Sequence, residues 1–318
     1  MASVLQKAES ENRWFTAENL QTALANIQSG YLEEARLRQW LEPYASQLAQ
    51  PRTVKKIGVV MAGNIPLVGF HDLLCVLISG HFLLAKPSAQ DRVLMQLVMD
   101  ILGEISPALK DRMQVAEQLR EADAYIATGS DNTARHFAYY FQDKPHIIRR
   151  NRHAVAVLNG NESETQLRAL GQDIFLYFGL GCRSVSKIFL PQGYDPTYLI
   201  PIWEKDWGNL AQHNKYGNNY DYHRAIYIMN GDDYFEASFL ILRESSAIAS
   251  PMANLFYEYY QDEADLNDRL ARDAEKIQII IGSPSQDSRF VPFGQAQAPS
   301  LADYADGVDT LGFLLSLG

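Results

Sequence analysis

From residue 55 onward the chain alternates short apolar runs with longer stretches at helical spacing. KKIGVVMAGN (55–64) is a buried-strand pattern that ends in Gly-Asn-Ile-Pro, and PLVGFHDLLCVLISG (66–80) has helical length. HFLLAKPS predicts a second strand and AQDRVLMQLVMDILGEI a second helix. DAYIATGSDNTARHFAYYF repeats the unit as strand, Gly-Ser turn and helix, and HIIRR and HAVAVLNG supply two more strands. Before all of these, residues 15–49 carry Leu20, Leu24, Ile27, Tyr31, Leu37, Trp40 and Leu41 near helical spacing, which predicts an amphipathic helical region.

Strands that alternate with helices predict a parallel sheet covered on both faces. The predicted strands exit into small or polar residues: Gly63-Asn64, Pro87-Ser88 and Gly129-Ser130. Ligands of open α/β sheets bind beyond the carboxyl ends of the strands, so these exits should line one crevice. A second α/β unit follows, with a helix over 162–176, a glycine-rich loop and the strand VSKIFLP. The expected domains are therefore 1–158, 159–290, and a turn-rich segment 291–318 that returns to the first domain. The chain has no GxGxxG, Walker A, CxxC or HExxH motif, so a nucleotide would be held without the usual glycine fingerprint and no metal site is expected.

Composition narrows the partners. The 28 basic and 38 acidic side chains give a net charge of −10, which argues against nucleic acid or an anionic membrane surface as the main partner. No apolar stretch reaches the length of an integral membrane segment, and MASVLQKAESENRWF lacks the apolar centre of a signal peptide. Two cysteines make no disulfide framework, so a reducing cytoplasmic setting is the expectation.

The cysteines differ in context. Cys75 lies within the apolar helix HDLLCVLISG and reads as core. Cys182 lies in YFGLGCRSVSKIFLP, among Gly179, Gly181, Arg183 and Ser184. Little bulk, backbone donors and a positive charge are the surroundings that favour a thiolate. On the residues alone Cys182 is equally a nucleophile or a structural thiol, and a Cys/His hydrolase stays open, since none of the seven histidines is tied to it by spacing.

GNIPL, HFLLAKPS and IATGS resemble the asparagine loop, the Lys-Pro-Ser strand exit and the Gly-Ser turn of the aldehyde dehydrogenase superfamily. GLGCRSVSKIFLP, HNKYGNNYDYHRAIY and FGQAQAPSLADYADGVDTLGFL resemble the acyl-CoA reductases of the LuxC type within it. The resemblance covers roughly residues 55–318. It implies an aldehyde dehydrogenase-like α/β fold, with a Rossmann-like parallel-sheet cofactor domain and an α/β catalytic domain.

The resemblance further implies a chemistry. Cys182 would be the catalytic thiol, and Asn64 would share an oxyanion with a backbone N–H; the plain reading of Asn64 is a turn residue that caps the next helix. Lys86 would meet the adenosine ribose, with Ser88 beside it, which suits the extra phosphate of NADPH, with NADH as the alternative. Gly129 and Ser130 would set a helix N-terminus near the cofactor diphosphate. Glu244, in LILRESSAIASP, resembles the glutamate that holds the nicotinamide ribose.

One departure separates the chain from the aldehyde-oxidising members. Those members carry a water-activating glutamate where this sequence reads RRNRHAVAVLNG. Arg149, Arg150, Arg152 and His153 form a basic cluster there, read either as a solvated strand end or as a contact for cofactor or CoA phosphates. The implied activity is NADPH-dependent reduction of an acyl-CoA to an aldehyde through an acyl-cysteine. A different activated acyl donor, or a non-catalytic interaction protein of the same fold, are the alternatives; a homo-oligomer or a partner enzyme is compatible with each.

Overall fold

The computed structural model describes residues 2–129, 131–283 and 287–318, and the chain divides into two compact units, 1–151 with 299–318, and 152–298. The first unit opens with helices α1 (Ala2–Glu11), α2 (Ala17–Tyr31), α3 (Glu34–Leu41) and α4 (Ala45–Leu48). The continuous helical stripe expected over 15–49 is thus interrupted. Thr16 caps α2 through its side chain, and Pro43, which cannot donate to a helix ladder, falls in a 3₁₀ turn between α3 and α4.

The α/β repeat follows as β1 (Lys56–Val60), α5 (Phe70–Ile78), β2 (Phe82–Lys86), α6 (Arg92–Ile105), α7 (Pro107–Lys110), β3 (Met113–Val115), β4 (Ala124–Thr128), α8 (Asp131–Phe141) and β5 (His146–Arg149). The five strands form one all-parallel sheet in the order β3-β2-β1-β4-β5. This is the doubly wound order, with its switch point between β1 and β4. Ile57, Val59, Leu83, Ala85 and Ile126 of the sheet pack with Leu73 and Val76 of α5 and Leu94 and Met95 of α6. Cys75 belongs to this core, and burial pushes its thiol well above the ordinary range.

The second unit contains β6 (His153–Val157), α9 (Glu164–Phe175), β7 (Val185–Pro191), α10 (Ile200–Trp207), α11 (Asn214–Asn230), β8 (Phe235–Glu236), β9 (Ile241–Glu244), β10 (Asn254–Tyr260), α12 (Glu263–Arg272), β11 (Ile277–Ile281) and β12 (Phe290–Val291). They build a seven-stranded sheet in the order β12-β11-β6-β7-β10-β9-β8, parallel except for β8 against β9. The strand HAVAV, grouped by sequence with the first sheet, pairs here with β7 and β11. The second unit accordingly starts at Arg152 rather than 159, and the chain re-enters the first unit at Pro299 rather than 291.

Alternation along β7 separates two cores. Ile188 and Leu190 pack with Phe175, Trp203 and Leu255 on one face, while Phe189 packs with Val155, Leu266, Leu270 and Ile280 on the other. Lys187 shares the second face and is fully buried, its Nζ on Glu258 and on the carbonyl oxygen of Ser246. In the returning segment of the first unit, α13 (Thr310–Leu315) places Leu311 and Leu314 in the first core. No described helix is long and apolar enough to cross a membrane.

Candidate active site

In the first unit the exits of β1 and β2 lie side by side. Pairing of β1 with β2 runs past both strand ends: Met61 N–H donates to Lys86 O, and Ser88 N–H to Met61 O, each at 3.1 Å. A Cβ on Gly63 would lie 2.7 Å from Cβ of Ser88, so only glycine lets the two exits approach this closely. Lys86, the last residue of β2, is exposed and has no side-chain partner among the described residues, whereas Ser88 Oγ accepts from Gln90 N–H at 3.2 Å.

Asn64 is half-buried in the bend that leaves β1. It does not cap α5, whose N-cap is Gly69. The turn between them passes through Leu67 at φ 57°, a left-handed conformation that a branched apolar residue adopts only when its surroundings impose it. Leu67 N–H donates to Asp91 Oδ2 at 2.9 Å, and the Asp91 carboxyl is buried.

Gly129 leaves β4 at the switch point. A Cβ there would press within 3.0 Å of Thr133 in the first turn of α8, so glycine permits the close strand-to-helix turn. Ser130, expected beside it, lies outside the described residues.

The basic cluster is not what the sequence suggests at its first member. Arg149 ends β5 but points inward: its guanidinium holds Asp72 of α5 bidentately at 2.5 and 2.8 Å and donates to Thr310 Oγ1 at 2.9 Å. Both partners are 8% exposed, so Arg149 is neither a solvated strand end nor a phosphate contact. Arg150 is exposed, and Arg152 and His153 are half-buried.

In the second unit the Cys182 loop is built from strained and glycine backbone. After α9 the chain takes three consecutive left-handed residues, Tyr177 at φ 54°, Phe178 at φ 58° and Gly179 at φ 72°. The two aromatic side chains are buried, and Phe178 stacks obliquely on His213 with centroids 4.5 Å apart. Gly181, Cys182, Arg183 and Ser184 then close a turn: Ser184 N–H donates to Gly181 O at 3.0 Å, and Gly181 N–H to Ser184 Oγ at 3.2 Å. Cys182 is exposed at the tip of that turn, just before β7.

Segment 293–297 braces this turn. Arg183 Nε donates to Ala296 O at 2.5 Å, and Gln297 Nε2 to Ser184 Oγ at 3.1 Å. Asp173 of α9 accepts from the backbone N–H groups of Gly294 at 2.6 Å and Ala296 at 2.9 Å. Burial pushes the Asp173 carboxyl up to about 6, against the two N–H donors and Arg183, which favour its charge. The sequence reading missed Asp173. Its signal is an acid in register with Leu167, Leu170 and Ile174 on the buried face of an amphipathic helix.

Register sets two further residues. Ala154 of β6 pairs with Val185, and its N–H donates to Ser184 O, so His153 precedes the pairing that follows the cysteine turn. The five residues of β6, HAVAV, include no carboxylate. Glu244 is exposed at the end of β9, level with Tyr257 of β10 and through it with Ile188 of β7 rather than with Cys182. Asn64, Lys86, Ser88 and Gly129 thus belong to the first unit, and Cys182 and Glu244 to the second.

No curated protein sequence matches the chain. Aldehyde dehydrogenase 21 from Physcomitrella patens, solved with succinate, is similar in fold: TM-score 0.60, 11% identity, 99% of this chain and 83% of that one. An oxidoreductase from Marinobacter aquaeolei gives a TM-score of 0.59 at 12% identity, over 78% of this chain and 63% of that one. An aldehyde dehydrogenase from Mycobacterium tuberculosis, solved with NAD+, gives 0.52 at 14% identity, over 67% of this chain. The chain spans about half the length of the Mycobacterium protein, 54% of it. These likenesses establish an aldehyde dehydrogenase-like fold. The family model for acyl-CoA reductase (LuxC) matches residues 2–198, more than half of the sequence and inclusive of both Asn64 and the cysteine turn; the chain belongs to the LuxC acyl-CoA reductase family.

Proposed function

We propose that this protein reduces an acyl-CoA thioester to an aldehyde with NADPH, by way of an acyl group carried on Cys182. The observation that carries the reading is the contrast between the two thiols. Cys75 is sealed in the first core, whereas Cys182 is exposed at the tip of a braced turn.

The carboxyl ends of the first-unit strands are where a dinucleotide would bind. There β1, β2 and β4 are neighbours in the doubly wound order, and at the β2 exit stand Lys86, exposed and without a side-chain partner among the described residues, and the Ser88 hydroxyl. Lys86 would face the 2′-phosphate, and Ser88 and Gly129 would border the ribose and diphosphate. Ser130 and Glu244 carry the remaining expected contacts by resemblance alone. The bound nicotinamide would supply the hydride.

The protein's own groups do the rest. The Cys182 thiolate forms a bond to the thioester carbonyl carbon, and the carbonyl electrons move onto oxygen. An oxyanion calls for fixed donors, and the family resemblance assigns that role to the Asn64 amide and a backbone N–H of the cysteine. Collapse of this adduct breaks the carbon–sulfur bond to CoA, which departs as a thiolate and takes up a proton. After reduction of the acyl carbon, the hemithioacetal oxyanion collapses and releases aldehyde and the Cys182 thiolate. A strand β6 without a carboxylate supports reduction over hydrolysis, because it offers no glutamate or aspartate to activate water against the thioester.

The test is the lifetime of the acyl-enzyme. Incubation with acyl-CoAs of several chain lengths should add one acyl mass to the intact protein, stable while NADPH is withheld and discharged to aldehyde when it is added. Rapid release of free acid without cofactor would overturn the reductase reading and direct attention to His153.

A further inference from the structure

The Gly63–Leu67 turn that carries Asn64 does not hold its own shape. Leu67 is left-handed without being glycine, which costs about 1 kcal/mol or more and requires outside support. The support at that residue is Asp91, through its bond to Leu67 N–H. Asp91 is the N-cap position of α6, its backbone is fixed by Ser88 O, and it anchors Met95 N–H. Asp91 is 2% exposed, its second oxygen Oδ1 has no hydrogen-bond partner among the described residues, and its Cβ lies 3.3 Å from where a Cβ on Gly63 would be. One side chain therefore backs both ends of the turn.

Resting on the proposed oxyanion role of Asn64, we infer that Asp91 is a positioning residue for Asn64: it holds the Gly63–Leu67 turn in the shape that presents the amide. The carboxyl is suited to do this as a neutral group. Burial pushes it up to about 8, opposed only by the Leu67 N–H bond, and no charged side chain contributes. A neutral acid keeps an acceptor for Leu67 without adding a negative charge behind the turn that carries Asn64. That makes asparagine its closest mimic, in shape and in charge.

The experiment compares wild type, Asp91→Asn and Asp91→Ala. Three measurements are made: acylation by an acyl-CoA followed by intact mass, iodoacetamide alkylation of Cys182, and amide exchange at Leu67. Asp91→Ala should slow acylation by about 10–100-fold, the scale of a misplaced catalytic group, with alkylation unchanged and Leu67 N–H exchanging faster. Asp91→Asn should restore both acylation and protection. Asp91→Ala that acylates at the wild-type rate, or Asp91→Asn as slow as Asp91→Ala, would overturn the inference. So would unchanged Leu67 protection in Asp91→Ala. If wild type itself is never acylated, the proposed function fails and Asp91 positions no oxyanion donor, while Leu67 exchange still reads its hold on the turn.

Discussion

Arg183 donates its Nε–H to the carbonyl oxygen of Ala296, so the residue after Cys182 is tied to a segment more than a hundred positions further along the chain. Asp173 grips the same segment through the backbone N–H groups of Gly294 and Ala296. The cysteine turn is thus held by its own Ser184 and by a braced neighbour, which is how a thiol can be exposed and still have a fixed direction.

Thiol reactivity should follow this arrangement. Cys182 should alkylate faster than Cys75 in the native protein, because Cys75 is buried and held in its thiol form. Peptide mapping after timed iodoacetamide labelling measures both sites. Equal labelling, or acylation by acyl-CoA that survives Cys182→Ala, would remove Cys182 as the nucleophile.

The Asn64 amide should matter to acylation and not to alkylation, since only the former develops an oxyanion. Asn64→Ala should slow acyl transfer by roughly 10²–10³, the usual loss for one oxyanion donor. Single-turnover mass spectrometry beside an iodoacetamide time course separates the two effects.

Lys86 should distinguish the cofactors. If its ammonium meets a 2′-phosphate, Lys86→Ala should weaken NADPH more than NADH, with the gap widening at low ionic strength. Fluorescence titration of both reduced cofactors at two salt concentrations reads the result, and equal weakening would indicate ribose contact alone.

Asp173 should give stability a pH dependence of known sign. Its folded carboxyl titrates near 6, above the ordinary 3.8, so the folded state binds the proton more tightly. The contribution is full below about pH 4 and is lost as pH rises through 6, a change of about 3 kcal/mol at most. Asp173→Asn leaves one backbone donor poorly matched, so it should unfold at lower urea at pH 4 and lose part of that deficit by pH 7. A deficit that grows with pH would contradict the assignment.

The Asp72–Arg149 pair should behave as a buried ion pair. Arg149→Met leaves the Asp72 charge uncompensated and should cost about 3–5 kcal/mol, while Asp72→Leu with Arg149→Met should recover much of it. Urea unfolding of the single and double variants measures the coupling.

The sequence by itself determined the strand–helix alternation, the parallel sheet of the first unit, the returning C-terminal segment and the contrast between the two cysteines. These properties are local: apolar runs, turn residues and the bulk around a thiol are written in neighbouring positions. Tertiary structure decided what depends on distant partners. HAVAV reads the same whether it extends the first sheet or pairs with β7, and only the sheet it joins moves the unit boundary. Nothing in neighbouring positions marks Arg149, Lys187 or Asp91 as buried, since charge normally stays in water, and Asp173 shows it only through its helix register. Each is buried where Asp72, Glu258, Leu67 N–H or the 294–296 backbone compensates it, and those partners are brought near only by the fold.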